Sequence, residues 1–335
     1  MGAGSARGVR LARTPGSEVS AEDFDLSDMA LPDLTDGQVL VRNSWMSVDP
    51  YMRLSLPGLP GARAPISVGD VMSGAAVGVV EVSTSPALPV GAMVVSQRGW
   101  RDRFVANAAE LRKVDPGVGS PSWHLGILGL TGLTAYPGIE FVLQPKAGET
   151  IFISGGAGAV GSVACQLARR RGARVLASAG SDEKCAWLVR ELGVSAAVNY
   201  HSEDLGAFLA RECPAGLDCY FDNVGGPTLD AALRAMRPQG RIGLCGAISQ
   251  YNDDNYRAGP AEFFTIIEKS LAVNGFNAGT PGPRSPEVLA ALGDLLKSGE
   301  LIWKETVVDG LENAPDAFAA LFRGENIGKM VVRLA

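Results

Sequence analysis

The stretch Thr150–Gly172, TIFISGGAGAVGSVACQLARRRG, limits what this chain can fold into more than any other. An apolar run, Ile151-Phe152-Ile153, breaks into Gly155, Gly156, Gly158 and Gly161, while Val160, Val163, Ala164 and Leu167 recur at helical spacing. Gly156-Ala157-Gly158-Ala159-Val160-Gly161 fits Gly-x-Gly-x-x-Gly in the setting that gives the pattern meaning, after a strand and opening a helix. Glycines there let the backbone turn tightly and come close to a pyrophosphate, which rests on the unpaired N–H groups at the helix N-terminus. A glycine-rich turn can also be no more than a tight connection, so its meaning depends on the elements C-terminal to it.

Those elements alternate regularly. Short apolar runs at 150–154, 174–178, 196–199, 218–222, 240–245 and 271–276 read as strands. Helical patterns lie near 158–171, 182–192, 203–212, 226–236, 261–269 and 285–298. Six strands separated by helices predict an α/β fold, a Rossmann-type doubly wound parallel sheet, with the glycine turn on its first βα connection. Residues 1–120 differ: strand-like runs at Val39–Val41, Ala76–Val82, Met93–Val95 and Arg103–Ala106 are interrupted by Gly and Pro, which reads as a β-rich domain with long loops. The first residues read as a short flexible lead-in. A strand-like run at 302–310, a short helix over Ala314–Phe322 and a last strand at Lys329–Leu334 are expected to return to that domain. The expected division is 1–122 completed by 303–335, with 123–302 binding the dinucleotide.

A chain of 335 residues, 46% hydrophobic, holds two such domains with substantial cores. A net charge of −6 argues against nucleic acid or an anionic membrane as partner. Five scattered cysteines without a C-x-x-C pair, and no apolar signal-peptide core, predict reduced thiols and a cytoplasmic location. His124 and His201 are the only histidines and have no cysteine at ligand spacing, so no zinc site, and no metal, is expected. Neither histidine is expected to be catalytic, and Trp100 and Trp123 read as packing residues.

The second strand ends in Ala177-Ser178-Ala179-Gly180, where an NAD site would place an acidic residue on the ribose. Small residues leave room for a 2′-phosphate, and Lys184 lies one turn along the next helix. The competing reading of Lys184 is an exposed helix lysine. Asp182 and Glu183 read as caps of that helix. The expected cofactor is NADP(H).

Several segments together resemble one family. These are Ser47-Val48-Asp49-Pro50-Tyr51-Met52-Arg53, Gly69-Asp70-Val71-Met72, Leu130-Thr131-Gly132-Leu133-Thr134-Ala135-Tyr136 and Gln144-Pro145-Lys146-Ala147-Gly148-Glu149. They continue with Tyr220-Phe221-Asp222-Asn223-Val224-Gly225-Gly226, Cys245-Gly246-Ala247-Ile248-Ser249-Gln250-Tyr251-Asn252 and Asn326-Ile327-Gly328-Lys329. The chain resembles, over residues 35–335, the zinc-free medium-chain dehydrogenase/reductases, in particular the prostaglandin/alkenal double-bond reductases. The resemblance implies a GroES-like catalytic domain beside the Rossmann domain, NADPH, an α,β-unsaturated carbonyl substrate and a homodimer. It implies cofactor contacts from Gly156, Gly158, Ala159, Val160 and Gly161, and from Ser181, Lys184 and Tyr200 at the adenosine end. Asn223 would lie near the ribose, with Cys245, Gly246, Ala247, Ile248, Phe276, Asn277 and Ala278 along the nicotinamide half. Asn326 would reach in from the C-terminal segment, and Thr134 is a weaker candidate for the carboxamide.

Hydride addition to the β-carbon of an enone spreads charge into an enolate, which one hydrogen-bond donor can stabilise without a metal. Tyrosine suits that role and can relay a proton. Tyr51, Tyr251 and Tyr256 lie on loops able to face the nicotinamide, and the resemblance favours Tyr251 as donor with Tyr51 lining the pocket. Asn274 and Asn277 stand where the family carries hydrophobic residues, and the 251–260 loop brings in Asp253, Asp254 and Arg257. The alternatives are a metal-free quinone or carbonyl reductase on the same scaffold, or a nucleotide-binding protein without activity.

Overall fold

The stretch expected to lead flexibly into a first strand is itself a strand in the computed structural model of this chain, which describes residues 4–58, 65–252 and 259–334. β1 (Ser5–Leu11) pairs along its whole length with antiparallel β2 (Phe24–Ala30). The four expected runs then appear, somewhat extended, as β3 (Gln38–Ser47), β4 (Ala76–Ser83), β5 (Met93–Ser96) and β6 (Arg103–Asn107), with the two-residue β7 (Arg112–Lys113) after them.

The parallel sheet comes after helix α1 (Leu130–Pro137). Its strands are β8 (Thr150–Ile153), β9 (Arg174–Ala179), β10 (Ala196–Asn199), β11 (Leu217–Asp222), β12 (Met236–Leu244) and β13 (Ala272–Gly275). The intervening helices are α2 (Ala159–Arg170), α3 (Asp182–Arg190), α4 (Leu205–Glu212), α5 (Gly226–Ala235) and α6 (Phe263–Glu268), with α7 (Ser285–Lys297) after the last strand. The order β10-β9-β8-β11-β12-β13 is that of a doubly wound sheet, and β8, first in sequence, lies inside it. Strand order therefore reverses between β8 and β11, the place where such sheets bind ligands. β12 begins earlier than its apolar run because Gln239, at φ +62°, lets Met236 pair with Leu217 before the ladder resumes at Arg241 and Cys219.

The chain ends in β14 (Glu305–Asp309), α8 (Ala314–Phe322) and β15 (Lys329–Arg333). β15 pairs antiparallel with β3, giving the first unit a seven-stranded sheet ordered β14-β15-β3-β4-β5-β7, with β6 also on β3. That unit comprises the residues before Ile127 together with Glu305–Asn326 and the stretch from Met330. Its core stacks Phe24 on Trp100 and sets Phe318 edge-on to both. Trp100 is 0% exposed, so it packs rather than lines a pocket. Ile127–Lys304 and Ile327–Lys329 form the second unit, whose core places the Phe152 ring 5.3 Å from Tyr220 in a stack. Side chains of this size each contribute about 1.5–3 kcal/mol on burial.

Candidate functional site

The second unit builds its site on the glycine turn. Gly155 takes φ +59°, and its N–H and that of Gly156 point at Ser178. A Cβ at Gly161 would lie 2.3 Å from the Gly155 carbonyl oxygen, and one at Gly156 would lie 2.8 Å from the Ala177 Cβ. Those two glycines let α2 close onto β8 and β9. Gly158 differs: its nearest neighbour would be the Gly155 oxygen at 3.2 Å. Gly158 is the N-cap of α2, and no side chain caps this helix. The first amides of α2, from Ala159, Val160 and Gly161, thus present positive dipole and N–H groups without an intrahelical acceptor, and among the described residues no side chain caps them. α3 and α4 are both capped, by Ser181 and Asp204.

At the end of β9, Gly180 is followed by Ser181, with Lys184 in the first turn of α3, and Tyr200 approaches Gly180 from the end of β10. The Ser181 hydroxyl accepts the Lys184 N–H at 3.3 Å. The cap is therefore Ser181 and not the expected Asp182 or Glu183, which occupy the exposed first turn and complement its dipole. Asp182 instead accepts from the Asn199 side-chain amide at 2.8 Å. A Cβ on Gly180 would sit 2.8 Å from the Tyr200 hydroxyl, and the Tyr200 ring lies against His201.

A buried polar knot joins the ends of β8 and β11. Asp222, 1% exposed, accepts from the Tyr220 hydroxyl at 2.6 Å, the Ser154 hydroxyl at 3.1 Å and the N–H groups of Val224 and Gly225, both at 2.9 Å. Burial holds its carboxyl above the ordinary range against the pull of these donors. Asn223 is pinned above it: its N–H donates to the Ser154 hydroxyl at 2.9 Å and its side-chain amide to the Ser154 carbonyl at 2.7 Å. The Cys245 thiol donates to the Asn223 side-chain carbonyl at 3.1 Å, and burial with the Asp222 charge pushes that thiol up. Ser154 did not stand out in the sequence, and Asp222 did so only within the segment Tyr220–Gly226, as the acid closing the apolar run of β11, with no role assigned to it.

Gly246 packs its backbone against Asn223, and the Ile248 N–H donates to the Asn223 carbonyl. Ile248 opens a single turn of 3-10 helix, Ile248–Gln250, and Tyr251 comes directly after it. The Tyr251 hydroxyl accepts the Ala247 N–H at 3.3 Å. That contact uses an oxygen lone pair and not the O–H proton.

Other expected residues make contacts of their own within the chain. Phe276 is buried edge-on against Phe221, 5.2 Å between centroids. The Asn277 side-chain carbonyl accepts from Gly279 N–H at 2.7 Å, closing its own turn, and Ala278 lies within that turn. Thr134 is buried, its hydroxyl donating to the Leu130 carbonyl at 2.8 Å. In the first unit, Tyr51 sits on a short 3-10 helix, Pro50–Ser55, rather than a loop; partial burial and the Asp49 charge push its phenol above the usual range. Asn326 is half-buried in the first unit, at the residue before Ile327. Tyr256, Asp253, Asp254 and Arg257 lie outside the described residues. Among the described residues no group of three or more His, Cys, Asp or Glu is arranged to hold a metal ion.

Comparison with known proteins adds the family. Residues 7–114 match the model of the N-terminal domain of oxidoreductase, and residues 159–297 match that of zinc-binding dehydrogenase. Prostaglandin reductase 1 from Bos taurus is 41% identical over 320 residues, 93% of this chain and 94% of its own. NADPH-dependent curcumin reductase from Escherichia coli is 36% identical over 330 residues, 97% of this chain and 96% of its own. Among solved structures, CurA from Vibrio vulnificus in complex with NADPH matches with TM-score 0.92 and 35% identity, covering 98% of this chain and 99% of that one. With the glycine turn, the strand order and these relatives in agreement, the chain belongs to the zinc-free double-bond reductases of the medium-chain dehydrogenase/reductase family.

Proposed function

We propose that this chain reduces the carbon–carbon double bond of α,β-unsaturated ketones and aldehydes with NADPH. The observation that carries the reading is the α2 N-terminus, left without a capping side chain beside a β9 end that bears no acid. The residues present fit the dinucleotide: Gly158 puts no side chain at the N-cap of α2, where a pyrophosphate would rest, with contacts from Gly156, Ala159, Val160 and Gly161. Lys184, with Ser181 and Tyr200 around Gly180, suits the 2′-phosphate end. Asn223, Cys245, Gly246, Ala247 and Ile248 suit the ribose and nicotinamide half, with Phe276, Asn277, Ala278, Thr134 and Asn326 as further candidates.

When bound, NADPH supplies a hydride to the substrate's β-carbon. The electron pair of the double bond then moves toward the carbonyl oxygen, and Tyr251 holds the resulting enolate through its O–H. Protonation of the α-carbon, through Tyr251 or water, completes the saturated ketone. In this reading the first unit is the catalytic domain, and Tyr51 is its candidate residue.

We further assign a homodimer in the cytoplasm. β13 is a sheet edge, all four of its residues exposed, and Phe263 and Phe264 of α6 are 60% and 66% exposed. Such an edge and apolar patch suit a second copy. All five cysteines are free, which suits a reducing compartment. The test is NADPH oxidation with a panel of enones and a quinone, with products identified by mass and NMR. A saturated ketone with its carbonyl intact is expected; an allylic alcohol or a hydroquinone as sole product would refute the reading.

A further inference from the structure

The glycine turn is held from a distance of 171 positions in sequence, by a segment that the nucleotide-binding pattern does not contain. Gly328 N–H donates to the Ala157 carbonyl at 2.8 Å, and Gly158 and Gly328 form an isolated parallel bridge. Next to it, Lys329 N–H donates to the Lys304 carbonyl at 3.0 Å. Ile327–Lys329 belongs to the second unit although the residues on either side belong to the first.

We infer that Gly328 is a positioning residue of the cofactor site, latching the peptide plane from which α2 presents its amides. Ala157 C=O and Gly158 N–H are the two edges of one planar peptide unit. The first edge is held by Gly328 and the second by the Gly155 carbonyl, at 3.0 Å. With both edges fixed, the plane cannot rotate, and Gly158 enters the helix at one angle. The amides of Ala159, Val160 and Gly161 then point at one place before any ligand arrives, so less ordering is left for binding to impose. Only glycine suits the latch. Gly328 has φ +68°, and a Cβ there would lie 2.0 Å from the Lys304 carbonyl oxygen.

The inference rests on the NADPH reading above, and the experiment separates the two. NADPH affinity is measured by fluorescence titration on the full chain, together with the Tm of the protein without ligand, for wild type and two variants. In Gly328→Ala the added Cβ forces the segment off Lys304, and NADPH Kd is expected to rise about tenfold or more. The second variant carries glycolic acid at 328, introduced by ligating a synthetic C-terminal peptide. It replaces the donated N–H by an ester oxygen, adds no side-chain atom to clash and keeps the test available if Gly328→Ala does not fold. Loss of one neutral hydrogen bond predicts about a three- to tenfold rise in Kd. KM for NADPH should rise alike while kcat at saturating NADPH stays at the wild-type value. A purely structural role would lower Tm and leave Kd and KM unmoved, and a folded ester variant with wild-type Kd would overturn the latch. Wild type that fails to bind NADPH would instead overturn the reading of the site itself.

Discussion

Two glycines of the same motif should fail in opposite ways. At Gly161 an alanine Cβ would stand 2.3 Å from the Gly155 oxygen and 2.8 Å from the Gly156 Cα, both backbone atoms. Ordinary contact needs about 3.5 Å, so helix and turn must separate by about 1 Å. Overpacking of this kind costs about 1–3 kcal/mol. At ~2 kcal/mol, the Tm of a unit this size falls by about 4–8 °C. Gly158 has φ −78° and ψ 177°, a conformation any residue adopts, and its Cβ would meet only the Gly155 oxygen at 3.2 Å. Gly158→Ala should therefore cost less than about 1 kcal/mol of stability, chiefly the poorer N-cap. In binding the order is expected to reverse, because in the proposed reading the new methyl stands at the α2 N-cap, beside the amides that would hold the pyrophosphate. An overlap of ~2 kcal/mol there weakens NADPH about 30-fold. Thermal unfolding without ligand, paired with NADPH titration, separates the two. The reasoning fails if Gly158→Ala binds NADPH as wild type does, or if it lowers Tm more than Gly161→Ala.

Three further perturbations address other residues. Lys184→Ala should raise KM for NADPH by about 10- to 100-fold, the value of a charged hydrogen bond, and leave KM for NADH unchanged; equal effects would remove Lys184 from the phosphate. Tyr251→Phe should cut enone turnover by about 100- to 1000-fold with NADPH affinity intact, and unchanged turnover would return this tyrosine to closing its own turn on Ala247. In the first unit, burial lowers the His124 pKa, and its buried Nδ1 has no hydrogen-bond partner among the described residues. The unfolded chain therefore takes up the proton first, so wild-type stability should fall as pH drops below about 6.5, whereas His124→Gln should lack that part of the decline in denaturant titrations at pH 5–8. Superimposable pH profiles would refute it.

The parallel sheet was legible because each strand is a short apolar run and each helix carries its own period, both local signals. β1 and β2 were not. Phe24–Ala30, FDLSDMA, loses its apolar–polar alternation at Asp28 and has no β-branched residue, and β1 carries Gly8, where any side chain would strike the Met29 sulfur. Their strand state is set by pairing with each other. The same distinction runs through the site. The glycine turn, the acid-free end of β9 and the Lys184 position lie within some thirty residues and could be read directly. Ser154 and Asp222 meet across 68 positions, and Gly328 reaches Ala157 from near the other end of the chain, so no window of sequence contains either pair. The Ser181 cap was misread for another reason: Asp182 is as good a cap type as Ser181, and only the backbone angles decide which residue starts the helix.

The pairing of β15 with β3 has a consequence for synthesis. The parallel-sheet unit is nearly contiguous and can fold as its residues emerge, whereas the first unit lacks an inner strand until residues 329–333 have been made. At about 5–20 residues per second, β3 waits roughly 10–40 s beyond the completion of β7 with its Trp45–Ser47 edge open to other chains. Nascent protein should therefore aggregate through that edge when chaperones are limiting, and slower translation of the second unit should lower soluble yield rather than raise it.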